Sequence, residues 1–336
     1  MKRRPTLIMA MVPFLNEHLL TPAHWQRIEA LCEVPDREPL TAFAEARAPQ
    51  LLAAAEILLT SWGCPVIDAQ VLAQAPRLGA IVHAAGTVKQ HLTAACWDRG
   101  LAVTSAAAAN AVPVAEYTLG AILFANKRVF QIRQRYREVR EFRWWPLEFP
   151  ALGNFGKVVG IIGASFVGRK VLELLRPFAF DVRLYDPFVN AADAAAMGAR
   201  KADLDDLLRE ADIVSVHAPA LPETHHMLDR ARLALMKEGA TLINTARGAL
   251  IDAEALEDEL KSGRLYAVID TTEPEILPPE SPLYDLPNVV LTPHIAGSMG
   301  AETQRMASLA IDEIERFVHG EPLRYAIQYS DLARIA

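Results

Sequence analysis

The chain has little that would support a disulfide, metal or nucleic-acid role. Its 336 residues include three cysteines (Cys32, Cys64 and Cys96), which lie far apart with no Cys-x-x-Cys pair and no companion histidine spacing. We therefore expect no disulfide framework, no metal site and a reducing compartment. The net charge is −7 and no polybasic stretch stands out, so no nucleic-acid partner is expected.

Long apolar runs are also missing, because no run approaches the ~18 residues of a membrane span. The start, MKRRPTLIMAMVPFL, resembles a signal peptide, but Pro13 interrupts it and Asn16-Glu17-His18 stands where a small-residue cleavage site belongs. A first β-strand fits this segment better. We expect a cytoplasmic protein without membrane contact.

Six short apolar runs lie between Val158 and Thr292, and each ends on or near a glycine or a polar residue. The runs VVGII, VRLY, IVSV, TLI, YAVI and NVVL lead to Gly163, Asp186, His217, Arg247, Asp270 and His294. Continuous apolar runs are typical of parallel strands that are buried on both faces. Ligands of open α/β sheets bind outside the carboxyl ends of the strands, so these polar residues predict a ligand site.

At this length about two domains are expected, and both are read as α/β. The first hundred residues alternate strands and helices without a glycine-rich loop, and a long helix is predicted from Val114 to about Arg143. A second amphipathic helix follows Gly300 and ends at Gly320. It should return to the first domain. We predict a nucleotide domain at 108–297, inserted into a discontinuous substrate domain at 1–107 and 298–336.

The segment GKVVGIIGASFVGRKVLELL predicts a strand, a phosphate-binding turn and a helix. Gly163 and Gly168 have the first and third positions of Gly-x-Gly-x-x-Gly, but Ser165 replaces the middle glycine. The serine hydroxyl could donate to a phosphate oxygen at the helix N-terminus. Taken alone, a structural glycine turn is about as probable as a cofactor loop. Arg169-Lys170 follows where an NTPase needs Lys and Ser/Thr, and no Tyr-x-x-x-Lys of short-chain dehydrogenases occurs.

Asp186 strengthens the cofactor interpretation. It follows Gly163 by 23 residues (186 − 163) at the end of the next predicted strand. A carboxylate there accepts hydrogen bonds from an adenosine ribose and repels a 2′-phosphate. A turn or helix N-cap aspartate is the alternative. The two features together favour NAD over NADP.

Three further residues are predicted at the same sheet edge. Arg247 could bind a substrate carboxylate through its guanidinium fork, although a surface pair with Asp252 is the alternative. Glu275 and His294 could form a carboxylate–imidazole acid, or be a solvated glutamate and a satisfied loop histidine. A cation for a carboxylate and an acid for a developing alkoxide are what hydride reduction of a keto acid requires.

At these residues the chain closely resembles the D-isomer-specific 2-hydroxyacid dehydrogenase family. The resemblance runs from about Leu78 to Ile311, and includes GIIGASFVGRKV, VHAPALPETHHML, INTARGALID, DTTEPE and NVVLTPHIAGS. It implies a Rossmann-type, doubly wound NAD domain inserted into a smaller flavodoxin-like α/β domain. It also implies that Arg247 binds and polarises a 2-keto acid, that His294 is the general acid/base, and that Glu275 orients His294 and stabilises its protonated form.

The resemblance also implies the remaining site residues. Asp270 would bond the nicotinamide carboxamide, Phe166-Val167 would lie by the pyrophosphate, and backbone amides near Gly86 and Thr87 would cradle the substrate carboxylate. The expected cofactor-binding set is Gly163, Ser165, Phe166, Val167, Gly168, Asp186, His217, Ala218, Pro219, Thr245, Ala246, Arg247, Asp270, His294 and Gly297. A homodimer through the helix around 114–140 is expected as well.

The substrate side chain is less determined by the sequence. Phosphoglycerate dehydrogenases of this family carry a basic residue near the position of Trp62, and no regulatory domain follows residue 336, so phosphoglycerate is disfavoured. Trp62, with Trp144-Trp145 of a partner subunit, would favour a small or apolar substrate, although packing alone explains all three. The alternative functions are an NAD(H)-sensing binding protein or corepressor with little turnover, and an enzyme acting on formate or phosphonate.

Overall fold

The computed structural model describes residues 3–335, apart from the side chain of Leu15. These residues form two compact units. The first runs to Asn110 and resumes at Ser298, and the second is Ala111–Gly297. We expected the division after residues 107 and 297.

The first unit is built on a parallel four-stranded sheet. Its strands are β1 (Leu7–Ala10), β2 (Ile57–Thr60), β3 (Ala80–His83) and β4 (Ala102–Ser105), in the order β1-β2-β3-β4. Parallel bridges from Thr6 to Glu33 and from Ala10 to Leu40 add an irregular segment outside β1. The segment that contains Glu33 and Leu40, which comes after β1 in the sequence, therefore lies beside β1 and opposite β2. This is the flavodoxin-like strand order. The strand predicted in TLIMAMV is confirmed as β1.

Five helices connect these strands. They are α1 (Pro13–Leu19), α2 (Pro22–Leu31), α3 (Ala48–Ala54), α4 (Ala69–Gln74) and α5 (Ala95–Asp98). Among the best capped is α2, where the Thr21 hydroxyl accepts the His24 N–H and the His24 ring accepts the Thr21 N–H. This reciprocal cap satisfies two backbone donors that the first helical turn cannot pair internally.

The prediction of a single long helix from Val114 to about Arg143 is wrong. Two helices occur instead, α6 (Ala107–Asn126) and α7 (Val129–Val139). Arg128 between them has a left-handed backbone with φ 50°. Its guanidinium lies 3.6 Å from the centre of the Tyr266 ring and donates to Thr241 Oγ1. These tertiary contacts hold Arg128 in the break, and nothing in the local sequence pattern announces them.

Within the described residues, α6 is the one helix long and apolar enough to cross a membrane, by length and composition. Ala115, Ile122 and Ala125 of α6 belong to a hydrophobic cluster that includes strand residues of the second unit. This face of α6 therefore packs in the core of that unit.

The second unit is built on a parallel seven-stranded sheet. Its strands are β5 (Val158–Ile162), β6 (Asp181–Tyr185), β7 (Arg200–Lys201), β8 (Ile213–Val216), β9 (Thr241–Asn244), β10 (Tyr266–Ile269) and β11 (Val289–Leu291). The order is β11-β10-β9-β8-β5-β6-β7. The six predicted strands are confirmed, and the exposed two-residue edge strand β7 was missed because it has no apolar run.

Helices cover both faces of this sheet, which makes it doubly wound. The helices are α8 (Phe166–Leu175), α9 (Ala191–Ala196), α10 (Leu204–Glu210), α11 (Arg230–Leu235) and α12 (Ala253–Lys261). Ile161 packs in one cluster with α6 and α8, whereas its neighbour Ile162 packs in the other with α10, α11 and α12. Strand order reverses between β5 and β8, and this switch point is where such sheets bind ligands.

The last helix, α13 (Thr303–His319), belongs to the first unit and ends at Gly320, whose φ of 72° confirms the predicted C-cap. It packs on α2, where Arg27 donates to Asp312 and His24 bonds Ser308 at 3.0 Å. The buried Glu313 accepts the backbone N–H groups of Arg324 and Tyr325, which fixes the C-terminal segment.

Candidate active site

The carboxyl ends of six strands carry the predicted site residues of the second unit. Gly163 follows β5, Asp186 follows β6, His217-Ala218-Pro219 follow β8, Thr245-Ala246-Arg247 follow β9, Asp270 follows β10, and His294 and Gly297 follow β11. The parallel topology therefore brings these residues to one edge of the sheet. Arg247, Glu275 and His294 lie together there.

The turn after β5 requires glycine at both predicted positions. Gly163 has φ +96°, and a Cβ there would lie 2.7 Å from the Ala218 nitrogen of the neighbouring strand end. A Cβ on Gly168 would lie 1.9 Å from the Gly163 carbonyl oxygen. The first glycine thus permits the tight turn, and the last permits the close approach of α8 to it.

Ser165 is the N-cap of α8. Its Oγ accepts the Gly168 N–H at 3.3 Å, and its backbone is extended. A capping hydroxyl keeps its own proton, so it can still donate to a ligand. The serine therefore replaces the middle glycine at a position where it also stabilises the helix.

Asp186 braces the same turn. Its Oδ2 accepts the Ala164 N–H and its Oδ1 accepts the Phe188 N–H, both at 2.8 Å. These contacts are those of a turn aspartate, which was the alternative to ribose binding. Each carboxylate oxygen can accept a further hydrogen bond, so ribose hydroxyls remain compatible with these contacts.

His217 lies buried beside this turn, in contact with the loop rather than open to solvent. Its Nε2 bonds Ser215 Oγ at 2.9 Å, and its Cβ lies 3.5 Å from where a Gly168 Cβ would be. Burial lowers the pKa of His217 to about 3, so the imidazole is neutral near pH 7. Thr245, another residue of the expected cofactor-binding set, is also buried, and its hydroxyl lies 3.1 Å from the hydroxyl of Thr118.

Asp270 organises the loop that carries the candidate acid. Its Oδ1 accepts the Ile295 N–H at 2.8 Å and the Thr292 hydroxyl at 2.6 Å, and its Oδ2 accepts the Ala296 N–H at 2.9 Å. The side chain is buried. Sequence reasoning assigned Asp270 to the nicotinamide carboxamide and did not find this bracing role.

Tyr117 extends the same network and was missed from sequence. Its hydroxyl lies 2.8 Å from Thr292 Oγ1. Because the Thr292 proton is directed to Asp270, Tyr117 is the donor in this bond. Burial raises the pKa of Tyr117, and the bond to Thr292 opposes that shift.

His294 and Glu275 form the closest polar contact of the site. Nδ1 of His294 lies 2.5 Å from Oε1 of Glu275. The histidine backbone is left-handed, with φ 56°, and its N–H donates to the Asp270 carbonyl at 2.8 Å. Few residues other than glycine adopt that conformation, although histidine does so more often than most, and the hydrogen bonds of this loop hold it there. Both side chains are exposed, and the contact joins the two residues that the sequence predicted as a carboxylate–imidazole pair.

Arg247 lies next to this pair. Burial lowers the pKa of its guanidinium, whereas the nearby charge of Glu275 raises it. Nη1 donates to the Ala246 carbonyl at 2.6 Å. Asp252 instead caps α12 by accepting the Ala255 N–H, so the alternative pairing with Arg247 is absent from the described residues.

Gly248, directly after Arg247, joins the arginine loop to the carboxylate loop. A Cβ there would lie 2.1 Å from the Thr272 carbonyl carbon and 2.4 Å from the Glu273 nitrogen. The two backbones are therefore in direct contact. The sequence indicates a role for this glycine only through its position directly after Arg247, and it does not predict the contact.

The predicted substrate cradle lies in the first unit. Gly86 and Thr87 follow β3 at the carboxyl edge of that sheet, and Thr87 Oγ1 accepts the Lys89 N–H at 3.3 Å. A Cβ on Gly86 would make only an ordinary contact, 3.6 Å from Asn110 Nδ2. Trp62 is half-buried against Ala106, Ala109 and Met306, which supports its packing interpretation.

Comparison with known proteins shows the family to which the chain is similar. The family described as D-isomer specific 2-hydroxyacid dehydrogenase, NAD binding domain, matches residues 119–296. The chain is 36% identical over 285 residues to D-3-phosphoglycerate dehydrogenase of Mycobacterium bovis, covering 84% of this chain and 51% of the relative. It is 34% identical over 261 residues to glyoxylate reductase of Aeropyrum pernix, covering 76% of this chain and 78% of the relative.

Solved structures agree on the fold. The apo D-mandelate dehydrogenase of Rhodotorula graminis superimposes with a TM-score of 0.81 at 26% identity, covering 97% of this chain and 98% of the other. The chain spans about half the length of the phosphoglycerate dehydrogenases that it matches.

The fold of the second unit and the family match together define an NAD-binding Rossmann domain. More particularly, the chain belongs to the D-isomer specific 2-hydroxyacid dehydrogenase family. The predicted family and fold class are thereby confirmed.

Proposed function

We propose that the protein reversibly reduces a 2-keto acid to a D-2-hydroxy acid with NADH. The observation that carries this proposal is the 2.5 Å contact between His294 and Glu275, made beside the half-buried Arg247 at the carboxyl edge of the Rossmann sheet. An acid held by a carboxylate, next to a cation, suits a carbonyl that acquires negative charge during reduction. The second unit would be the NAD-binding domain and the first the substrate domain.

The residues of the switch point suit a dinucleotide. The turn at Gly163 and Gly168 leaves no room for a side chain, and the first N–H groups of α8, at Phe166 and Val167, lack intrahelical partners by position. The bound cofactor would supply the hydride. His217-Ala218-Pro219, Thr245-Ala246 and Gly297 would complete its binding surface.

Arg247 would bind the substrate carboxylate and polarise the adjacent keto group. A guanidinium has five donors, so one bond to the Ala246 carbonyl leaves donors for a bidentate carboxylate. Its burial strengthens the attraction to an anion. Backbone amides of Gly86 and Thr87 would take the rest of the carboxylate.

His294 would give its Nε2 proton to the developing alkoxide in reduction and recover it in oxidation. Nδ1 is engaged by Glu275, so Nε2 is the nitrogen left for the substrate. Glu275 would fix the orientation of the ring. Asp270 acts one step further back, because it fixes the backbone on both sides of Pro293-His294.

NADH is proposed over NADPH because Asp186 occupies the end of β6. A carboxylate accepts hydrogen bonds from ribose hydroxyls and repels a 2′-phosphate. The next residues, Pro187-Phe188-Val189, supply no arginine for that phosphate.

A small or apolar 2-keto acid is proposed as substrate, with phosphoglycerate disfavoured. The support is Trp62, which stands near the position of a basic residue in phosphoglycerate dehydrogenases and cannot pair with a phosphate. Trp62 is half-buried, so its indole is part of the surface of the first unit.

A homodimer through the region around 114–140 is proposed as well. The segment after α7 exposes large apolar side chains, with Phe142 86%, Trp144 66% and Leu147 85% accessible. Exposed apolar patches of this kind mark protein contact sites. A cytoplasmic location remains a prediction.

The second candidate is an NAD(H)-sensing protein with little turnover. One observation favours it: the phosphate loop carries Ser165 instead of the middle glycine. The intact pairing of Glu275 with His294 opposes it, because a sensor has no need of a proton donor.

A substrate panel separates the two. NADH consumption, with NADPH alongside, should be measured with glyoxylate, hydroxypyruvate, pyruvate, phenylpyruvate and branched 2-keto acids, and with formate and NAD for oxidation. Turnover with a keto acid supports the reductase. NADH binding without turnover on any of them would overturn it in favour of the sensor.

A further inference from the structure

His225 and His226 are not used by the proposed reaction, yet they lie against its loops. Both follow the short helical turn Pro222–Thr224 after β8. The His226 N–H donates to the Ala249 carbonyl at 2.8 Å, in the turn that follows Arg247. Glu273, in the loop after β10, faces the two rings. Loops from three neighbouring strands therefore meet at this point.

The three side chains bring suitable ligand atoms together. One ring nitrogen from each histidine and a carboxylate oxygen of Glu273 all lie within 4.8 Å of one another. The ligands of a tetrahedral zinc ion stand about 3.3 Å apart, given Zn–N distances near 2.0–2.1 Å. Closing the set needs movements of about 1.5 Å at most. His225 and Glu273 are exposed and can rotate to make them.

The two imidazole rings lie face to face. The rings of His225 and His226 stack with centroids 3.9 Å apart and an interplanar angle of 22°. A metal binds imidazoles through the lone pairs of their ring nitrogens. Glu273 adds the negative charge that a dication needs.

The backbone at His226 is held in an uncommon conformation. Its φ is 49°, in the left-handed region, which few residues other than glycine adopt, although histidine does so more often than most. The buried Met227 and Leu228 follow immediately and fix the segment in the core. A strained residue persists where the surroundings determine it, and such residues cluster at functional sites.

We propose that His225, His226 and Glu273 bind a borderline divalent transition-metal ion, with Zn²⁺ as the best match. Two imidazoles and one carboxylate are a donor set that zinc prefers, and water would fill the open position. The proposal is separate from the reductase activity, because binding can be measured without turnover.

Metal binding at this site would clamp the loop that carries Glu275. Glu273 is two residues from Glu275, and the Thr272 hydroxyl lies 2.8 Å from the Pro274 carbonyl and 3.0 Å from that of Glu275. A metal bond to Glu273 would therefore tie this compact loop to the loop after β8. The ion would stiffen the carboxylate that orients His294 without contacting the substrate.

The test is a titration of the full chain with Zn²⁺ against a chromophoric chelator, with and without NADH. One Zn²⁺ per chain should bind, and His225→Gln and Glu273→Gln should each weaken binding by at least about 10-fold. The matched controls are His319→Gln and Glu280→Gln, which alter exposed residues outside the cluster and should bind Zn²⁺ as the unmodified chain does. Absence of saturable binding, or unchanged binding in both test variants, would overturn the site.

The third ligand needs a variant that tolerates its backbone. His226→Asn keeps a residue type that accepts the left-handed conformation, so a loss of zinc binding there reports on the ring. Circular dichroism should show the same unfolding temperature without metal, and only the unmodified chain should gain stability on adding Zn²⁺. An equal gain in all three variants would place the ion elsewhere.

The clamp has its own readout in amide hydrogen exchange. Zinc should slow exchange of the amides from Thr271 to Leu277 in the unmodified chain and leave it unchanged in His225→Gln. Binding without slower exchange in this segment would refute the clamp.

Discussion

Oε1 of Glu275 lies 2.5 Å from Nδ1 of His294, and the histidine N–H is held at 2.8 Å by the Asp270 carbonyl. One contact fixes the ring and the other fixes the backbone. An imidazole constrained in this way has a defined tautomer and a defined outward nitrogen. The following predictions start from that relationship.

Replacing His294 with Ala should lower turnover by about 10²–10⁴-fold and leave NADH affinity nearly intact, because only the proton donor is lost. Steady-state kinetics with the best keto acid and fluorescence titration of NADH measure the two effects. Ile295→Ala, beside it in the loop, is the control for disturbance of the backbone. Unaltered turnover in the His294 variant would remove this residue from the mechanism.

The two directions of the reaction should have opposite pH dependences. Reduction needs protonated His294 and oxidation needs the neutral ring. The reductive rate should therefore fall, and the oxidative rate climb, as the pH is raised. Profiles of kcat/KM in both directions test this. Parallel profiles would count against one shared group.

Asp186→Ala should weaken NADH far more than NADPH, because it removes an acceptor for the ribose and a charge that repels the 2′-phosphate. Isothermal titration with both cofactors measures this difference. Since Asp186 also accepts the Ala164 and Phe188 N–H groups, Asp186→Asn, which keeps one acceptor oxygen, is the companion variant. Equal losses for the two cofactors would mean that the ribose is held elsewhere.

Ser165→Ala should destabilise α8 at its first turn by about 1 kcal/mol, whereas Ser165→Gly should change it by only a few tenths. The Gly168 N–H loses its partner in both variants, but glycine is itself a tolerated N-cap. NADH affinity should follow the same order, with the glycine variant binding at least as well as the serine form. Tighter NADH binding by the alanine variant would contradict the capping role.

Two buried histidines should make the fold sensitive to acid. Burial lowers the pKa of His83 to about 3, with the His91 charge adding to the shift, and burial lowers the pKa of His217 to about 3. The unfolded chain then binds more protons between about pH 3 and pH 6.5, so stability is full above that window and is lost as pH falls through it.

His83→Gln isolates one of these groups. Between about pH 7 and pH 5 the variant should lose about 2 kcal/mol less stability than the unmodified chain, measured by urea unfolding. The variant also forfeits the bond from His83 to Thr60 at 2.9 Å, so its stability at neutral pH should be lower throughout. His319→Gln, at an exposed histidine, is the control. Identical pH slopes for the two variants would show that His83 does not titrate on unfolding.

The strands and their ends could be predicted from sequence because burial on both faces leaves a simple pattern. Six apolar runs became six strands, and the polar residue after each run lies at one edge. The family motifs point to the same residues. Local patterns carry this information because strand direction in a parallel sheet sends every carboxyl end to one side.

Features that depend on distant contacts could not be predicted in this way. The break at Arg128 is held by Thr241 and Tyr266, which are more than 100 positions away in the sequence. The left-handed backbones of His226 and His294 are uncommon among residues other than glycine and are not marked by the local sequence. The three bonds that Asp270 makes to the histidine loop depend on the register of β10 against β11. The adjacent residues His225 and His226 do not have a sequence spacing that predicts a metal site.

Gly248 lies where two loops of the candidate site touch. Its backbone lies against the Thr272-Glu273 peptide with no room for even a methyl group. The loop that carries Arg247, which would bind the substrate carboxylate, is therefore in direct backbone contact with the loop that carries Glu275. A shift of the backbone at Arg247 would therefore also shift the loop that carries Glu275.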